Sequence, residues 1–312
     1  MLNTQEVAEK VHIIDNNLYS IPRWGSVYLL NEEKKVLIDT GPTTTVNTVL
    51  DGIREIGVNP EDIDYIVITH IHLDHAGGAG TLVRSMPKAR VVVHNKGFRH
   101  LVNPAILVQS VMAVQGEESM ARFGEVVPID EKRLVPVKDG DTIKLSDRQQ
   151  IQCIDAPGHA PHELVIHETR NHGLFTGDAA GIYLPENDIL LPATPPPNFD
   201  AEIFINTIRW LMSINADRMY FAHFGVSDKV HENLELAIDK IKSWEKMVDA
   251  AVTDGKFNGV ADKMITRGYT ELEPVRENKL LYKYLAEISV HMSVAGYLRY
   301  YQEKRKAKLM EV

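Results

Sequence analysis

Three imidazoles and a carboxylate fall within the six residues His70-Ile71-His72-Leu73-Asp74-His75. Imidazole nitrogen and carboxylate oxygen together suit a borderline divalent cation, zinc first, with iron or manganese possible. The stretch follows the apolar run Ile63-Asp64-Tyr65-Ile66-Val67-Ile68, of which Tyr65 to Thr69 reads as a short buried strand because it is mostly β-branched or aromatic. Side chains alternate along a strand, so His-x-His at its end puts both rings on one side. Asp74 and His75 come where the chain turns into Ala76-Gly77-Gly78-Ala79-Gly80, whose glycines let the backbone pack closely ahead of a helix over Thr81 to Met86. One tight turn thus offers two ligand sets, His70/His72 and Asp74/His75. A single histidine behind a strand is ordinarily a surface or capping residue. Four metal-competent side chains this close together gain little stability without an ion.

The pattern His-x-His-x-Asp-His resembles the signature of the metallo-β-lactamase superfamily, and that resemblance implies further ligands downstream. Three apolar strands lead into fitting residues: Ile151 to Asp155 into Ala156-Pro157-Gly158-His159, Gly173 to Thr176 into Gly177-Asp178, and Arg218 to Ala222 into His223-Phe224-Gly225. The resemblance implies His70, His72 and His159 on one divalent metal, Asp74, His75 and His223 on a second, and Asp178 bridging them. It implies a hydroxide held between the two ions that attacks an ester-type carbonyl, with Asp74 passing a proton to the leaving group. A thioester of the glyoxalase II kind is the first substrate class, and a lactone is the alternative. Phosphodiester cleavage fits an acidic chain less well, and a metal-binding protein with a vestigial site is the non-enzymatic alternative. Asp39, which closes the strand Lys35 to Asp39, either caps the turn or, by the resemblance, braces the centre from behind.

The resemblance also implies the architecture, an α/β four-layer αβ/βα sandwich of two mixed sheets with the metals at one edge. Residues 1–226 form the expected catalytic domain, and residues 227–312 a C-terminal helical extension packed on it. Strands are expected at Val11 to Ile14, Ser26 to Leu30, Lys35 to Asp39 and Arg90 to His94. A helix carries the stripe Val46, Val49, Leu50, Ile53 and Ile56 with Gly57 as its C-cap. Asn103 to Phe123 is helical in character. Leu134 to Val137 and Thr142 to Leu145 read as strands joined by an Asp139-Gly140-Asp141 hairpin turn. The proline-rich run Leu191 to Phe199 is a rigid connector or a stiff lip over the metal site. From Ser227 the chain is helical, with stripes at Leu234, Ile238, Ile241, Trp244 and Val248, then Leu281, Leu285, Ile288, Met292 and Ala295, and breaks at Gly255 and Gly259. Truncation after about Asp254 is expected to leave the metal site assembled while raising KM.

The remaining candidates follow from residue type. Trp24 and Tyr183 offer broad apolar faces with one polar handle and are the candidate substrate contacts. His162 reads as a solvated turn residue rather than a support of the centre. His94 and His100 read as structural, His12 as a strand-edge residue, and His167, His172, His231 and His291 as surface or packing residues. The net charge of −9 and the lack of a nucleic-acid module argue for a small-molecule substrate and against nucleic acid. No apolar run reaches membrane-spanning length and the N-terminus has no basic region before an apolar core, so no membrane and a cytoplasmic compartment are expected. A homodimer is possible. The single cysteine, Cys153, excludes an intrachain disulfide and a cysteine-rich zinc site, and reads as a small buried hydrophobe. Only the tail from Arg299 to Lys308 is locally basic.

Overall fold

The computed structural model describes residues 3–253 and 259–310, so the helix break expected at Gly255 lies outside the described residues. The chain divides into two compact units, and neither is one continuous segment. The first comprises Met1–Ala156, His162–Gly177 and Ala216–Asp228; the second comprises Pro157–Pro161, Asp178–Asn215 and Lys229–Val312.

Both large sheets lie in the first unit. One contains β1 (Thr4–Ala8), β2 (Val11–Asp15), β3 (Ser26–Asn31), β4 (Lys35–Ile38), β5 (Ile63–Val67), β6 (Arg90–His94) and β7 (Leu134–Val137), in that order. Its first four strands pair antiparallel, and β4 to β7 run parallel. The near-continuous apolar runs of β5 and β6 suit parallel strands covered on both faces. The second sheet takes β8 (Thr142–Lys144), β9 (Gln150–Asp155), β10 (Leu164–Glu168) and β11 (Gly173–Gly177), followed across a parallel pairing by β14 (Arg218–Phe221) and then β15 (Val226–Ser227). Strands β12 (Ile182–Leu184) and β13 (Ile189–Leu191) form a separate hairpin in the second unit. The two mixed sheets and the C-terminal helices expected from the sequence are both present.

Two apolar cores hold the first unit. Inward-facing residues of both sheets meet in one, among them Ile38, Val67 and Val92 against Cys153, Ile166 and Phe175. The other lies on the opposite face of the first sheet, where Val49, Leu50 and Ile53 of the helix Val46–Glu55 join Ile66, Val91 and Val93. Burial pushes the Cys153 thiol up to about 12, which leaves it an inert core residue as its apolar surroundings suggest.

Three local expectations shift. The ladder of β5 stops at Val67 rather than Thr69, because the Thr69 N–H donates to the Asp39 carboxylate at 2.8 Å. The helical stretch from Asn103 breaks into Ala105–Gln115 and Met120–Phe123, since Gly116 between them sits at φ +81°. The hairpin expected over Leu134 to Leu145 does not form. Strand β7 edges the first sheet and β8 pairs β9 in the second, so the Asp139-Gly140-Asp141 turn carries the chain between sheets. It is tied to β9 instead, with Gly140 N donating to Cys153 O at 2.9 Å and Cys153 N to Asp141 O at 2.8 Å.

The second unit is helical apart from its hairpin. Its helices are Ala201–Met212, Val230–Thr253, Val260–Glu271, Lys279–Tyr284 and Val290–Met310. Asp200 caps the first by accepting from Ile203 N at 2.9 Å. The stripe Leu234, Ile241, Trp244 and Val248 is buried, and Trp244 meets Tyr297 edge to face at 5.7 Å. The proline run is strapped to the last helix. Thr194 Oγ1 donates to Ser293 O at 2.7 Å, and Ser293 Oγ donates to Pro192 O at 3.1 Å. No helix among the described residues is long and apolar enough to cross a membrane.

Candidate metal centre

The His-x-His-x-Asp-His stretch leaves β5 and folds into one helical turn, Leu73–Ala76, with His72 at its N-cap. His75 N and Ala76 N both donate to His72 O, at 3.0 and 2.9 Å. The turn is clamped to the end of β4. Thr40 N and Thr40 Oγ1 donate to His75 O at 2.8 and 2.7 Å.

Asp39 organises this clamp. Its backbone lies in the left-handed region at φ +59°, a conformation an aspartate tolerates better than most residues. That geometry brings its carboxylate to Thr69 Oγ1 at 2.8 Å and to His75 Nδ1 at 3.1 Å. A carboxylate only accepts, so His75 Nδ1 carries the proton and its Nε2 keeps the lone pair. The choice between turn cap and brace is thereby decided: Asp39 supports His75 directly.

The His75 Nε2 lone pair belongs to a converging set. Ligating atoms of Asp74, His75 and His223 all lie within 4.8 Å of one another. Asp74 Oδ2 is 3.8 Å from His223 Nε2 and 4.0 Å from His75 Nε2. His223 follows β14, and its turn is anchored to β3: Ser26 N donates to Ala222 O, and the Tyr28 hydroxyl to Phe221 O, both at 2.8 Å. Two buried imidazoles and a carboxylate at this spacing match the donor set and reach a divalent cation needs. The residues present fit such an ion.

Trp24 stacks on the His223 ring at 4.6 Å and is 1% exposed. Its face, expected to meet substrate, is taken by the histidine, which it holds in plane.

A second imidazole pair lies beside this set. His70 Nε2 and His72 Nδ1 are 3.0 Å apart, with the two rings edge to face. These rings meet as expected, although β5 ends at Val67 and strand alternation is not what brings them together. His162, expected in a solvated turn, is 9% exposed and stacks parallel to His70 at 6.4 Å. The turn that carries it leads into β10 and is fixed from both sides, as Leu164 N donates to Thr69 O at 2.8 Å and Ala156 N to Glu163 O at 2.9 Å. Glu163 is a buried residue beside this pair that sequence reasoning passed over. Its carboxylate lies 3.4 Å from His70 Nδ1, both side chains fully enclosed. The only signal was a charged residue opening the apolar strand Leu164–Glu168. His94 is structural as expected: it is 2% exposed, accepts from Lys96 N at 3.0 Å and faces Asp155 at 3.2 Å.

Five of the seven expected ligands thus sit in the first unit, and His159 and Asp178 belong to the second. Within that unit His159 Nε2 is 3.6 Å from Asp178 Oδ2. His159 Nδ1 is 2.9 Å from the Ala193 carbonyl, which can only accept, so Nε2 again keeps the lone pair. The loop bearing His159 lies on the helix Ala201–Met212. A Cβ at Gly158, whose φ is +141°, would come 2.4 Å from Phe204 Cα, and Thr207 Oγ1 donates to Pro157 O at 2.6 Å. Tyr183, the other expected substrate contact, is 5% exposed and donates its hydroxyl to Asp188 at 2.9 Å.

A family model described as the metallo-beta-lactamase superfamily matches residues 22–223. The metallo-beta-lactamase fold-containing protein ST1585 of Sulfurisphaera tokodaii is 28% identical over 229 residues, covering 71% of this chain and 81% of that protein. The crystal structure of ST1585 aligns with a TM-score of 0.62 over 74% of this chain and 85% of its own. An N-acyl homoserine lactonase of a Bacillus species is 27% identical over 236 residues, covering 67% and 82% of the two chains. The Thermus thermophilus protein TTHA1429 shares the fold at 17% identity, with a TM-score of 0.62 over 90% of this chain and 89% of that one.

Proposed function

The chain belongs to the metallo-beta-lactamase superfamily, and from that premise we propose that it is a metal-dependent hydrolase of ester-type carbonyls. The observation that carries the reading is the convergence of Asp74, His75 and His223 within 4.8 Å, with the far nitrogen of His75 engaged by Asp39. The proposed ligands are His70, His72 and His159 for one divalent ion, Asp74, His75 and His223 for another, and Asp178 for both. Zinc is the first candidate by donor type, with iron or manganese as alternatives. When bound, such ions supply acidification of a water and polarisation of the substrate carbonyl.

The chain's own residues do the rest. Asp39, Trp24 and the Ala193 carbonyl hold three imidazoles in fixed planes with Nε2 or ring face set. Asp74 turns Oδ2 towards His75 and His223, and its side chain is 21% exposed, the most open of that trio. Its Oδ1 takes the proton released by the attacking water and returns it to the departing sulfur or oxygen. Hydroxyl then ends on the acyl carbon and hydrogen on the leaving group, with no covalent enzyme intermediate.

Thioesters are the first substrate class in this reading. A lactone is the second, and it is favoured by the likeness to an N-acyl homoserine lactonase at 27% identity. A panel of thioesters, lactones and phosphodiesters tests both on protein loaded with zinc, iron or manganese. Ester-type turnover abolished by chelation and restored by metal is expected. A fully loaded protein inactive on every thioester and lactone would sink the proposal.

A further inference from the structure

Glu163 is not among the seven proposed ligands, yet its side chain is completely enclosed, as is that of His70 beside it. Taking a carboxylate out of water is costly unless a partner offsets it. The fold nonetheless fixes this one in place. Glu163 O accepts from Ala156 N at 2.9 Å, and the next residue, Leu164, donates its N–H to Thr69 O at 2.8 Å. Gly177 faces the carboxylate at φ +51°, where an added Cβ would come 2.6 Å from Glu163 Oε1 and 2.9 Å from the Thr69 side chain. A side chain is missing at 177 so that the carboxylate can sit against His70.

The surroundings of the His70 ring determine what this contact does. Its Nδ1 is 3.4 Å from Glu163 Oε1 and 3.2 Å from Thr69 Oγ1. The Thr69 hydroxyl gives its proton to Asp39, at 2.8 Å, so towards His70 that oxygen is an acceptor. Both neighbours of Nδ1 therefore ask for a proton on it. His70 Nε2 is left with its lone pair on the side where His72 Nδ1 lies, 3.0 Å away.

We propose that Glu163 is a positioning residue for metal binding: its buried carboxylate locks His70 in the Nδ1–H tautomer and makes Nε2 a stronger donor to a divalent cation. The role rests on the hydrolase reading above, in which His70 is a ligand. Carboxylates behind ligating histidines raise ligand basicity, and removing them typically weakens metal affinity by roughly 10–100-fold. Removing one member of this buried pair leaves the His70 Nδ1–H without its carboxylate acceptor, so the metal-free fold loses stability as well, and metal affinity of the folded variants is what separates positioning from packing.

The test uses the full chain with Glu163→Gln, which keeps the shape and loses the charge, and Glu163→Met, which replaces the carboxylate with an apolar group of similar size. Zinc affinity is measured by competition with a chromophoric chelator, and the melting temperature on metal-free protein. Zinc binding weakened by roughly 10–100-fold in both variants, measured on protein whose metal-free unfolding stays cooperative, is expected. The cobalt-substituted absorption bands should shift in the same variants. Unchanged zinc affinity in either folded variant overturns the proposal. If the unaltered chain itself takes up no metal, the hydrolase reading fails along with it; if it does and the variants match it, only the role of Glu163 fails.

Discussion

Asp39 shows how much one residue can hold. Its carboxylate accepts from Thr69 N and Thr69 Oγ1 and fixes the proton on His75 Nδ1. Asp39→Asn keeps a residue that tolerates φ +59° but turns an amide donor towards one of these donors. Metal content after dialysis should therefore fall, with affinity down roughly 10–100-fold and the urea midpoint of the metal-free protein little changed. Asp39→Ala adds backbone strain and leaves buried donors without an acceptor, so it should also lose about 1–3 kcal/mol of stability. Equal metal affinity in Asp39→Asn and the unaltered chain would refute the brace. A separate prediction concerns acid. Burial holds His12 and His167 below the ordinary value of 6.5. In both cases the folded state refuses a proton that the unfolded state accepts, so stability is full above 6.5 and declines as pH falls below it. The urea midpoint of metal-free protein should drop between about pH 7.5 and 5.5, and drop less in a His12→Gln, His167→Gln double variant. An unaltered pH slope in that variant would reject the assignment. The residue types of His70, His72, Asp74 and His75 were legible because they crowd one turn. Glu163 was not, because its enclosure depends on Gly177 and on Thr69, which is distant in sequence.

At the scale of elements, the expected ligands sit where strands end, and the ends are set by specific captures rather than by propensity. Apolar runs announced β5, β9, β11 and β14 well. They could not say that Asp39 would take the Thr69 N–H and stop β5 early, nor that β7 and β8 join different sheets. Two adjacent strands around an Asp-Gly turn look like a hairpin locally, and the partner each finds is a property of the whole sheet. The loop of His159 is the clearest case of an element serving a ligand. It rests on the helix Ala201–Met212 through Gly158, whose added Cβ would sit 2.4 Å from Phe204 Cα, and through Asp200 N donating to Gly158 O at 2.9 Å. Gly158→Ala must push the loop off that helix. It should cost about 1–3 kcal/mol by overpacking and reduce bound metal, whereas Thr207→Ser, which retains the hydroxyl that donates to Pro157 O, should do neither. Calorimetry and metal analysis check both. Full metal binding in Gly158→Ala would show that this cradle is not needed.

At the scale of the whole molecule, a single cut near residue 226 was the natural reading, since motifs stop there and helices begin. Along the sequence the segments of the two compact units alternate, with His159, Asp178 and the proline run grouped with the C-terminal helices. Sequence order cannot display such grouping, because it is made by contacts between segments roughly a hundred residues apart. Within the second unit those contacts form a chain that ends at an expected ligand. The last helix presents Gly296 to the proline run so closely that a Cβ there would come 2.0 Å from Thr194 O, and Ser293 exchanges hydrogen bonds with Pro192 and Thr194. The neighbouring residue, Ala193, accepts the Nδ1 proton of His159 at 2.9 Å. Truncation near Asp254 was expected to spare the metal site and raise KM. Asp254 lies outside the described residues, but any such cut deletes Val290–Met310 and with it the strap on the proline run. The expected outcome is therefore reversed: the shortened chain should lose metal as well as turnover. Gly296→Leu, which keeps every other residue, should reproduce the metal loss by forcing the run off the helix. A truncated or Gly296→Leu protein that folds, retains its full metal content and shows only a raised KM would restore the simpler picture of an appendage that binds substrate.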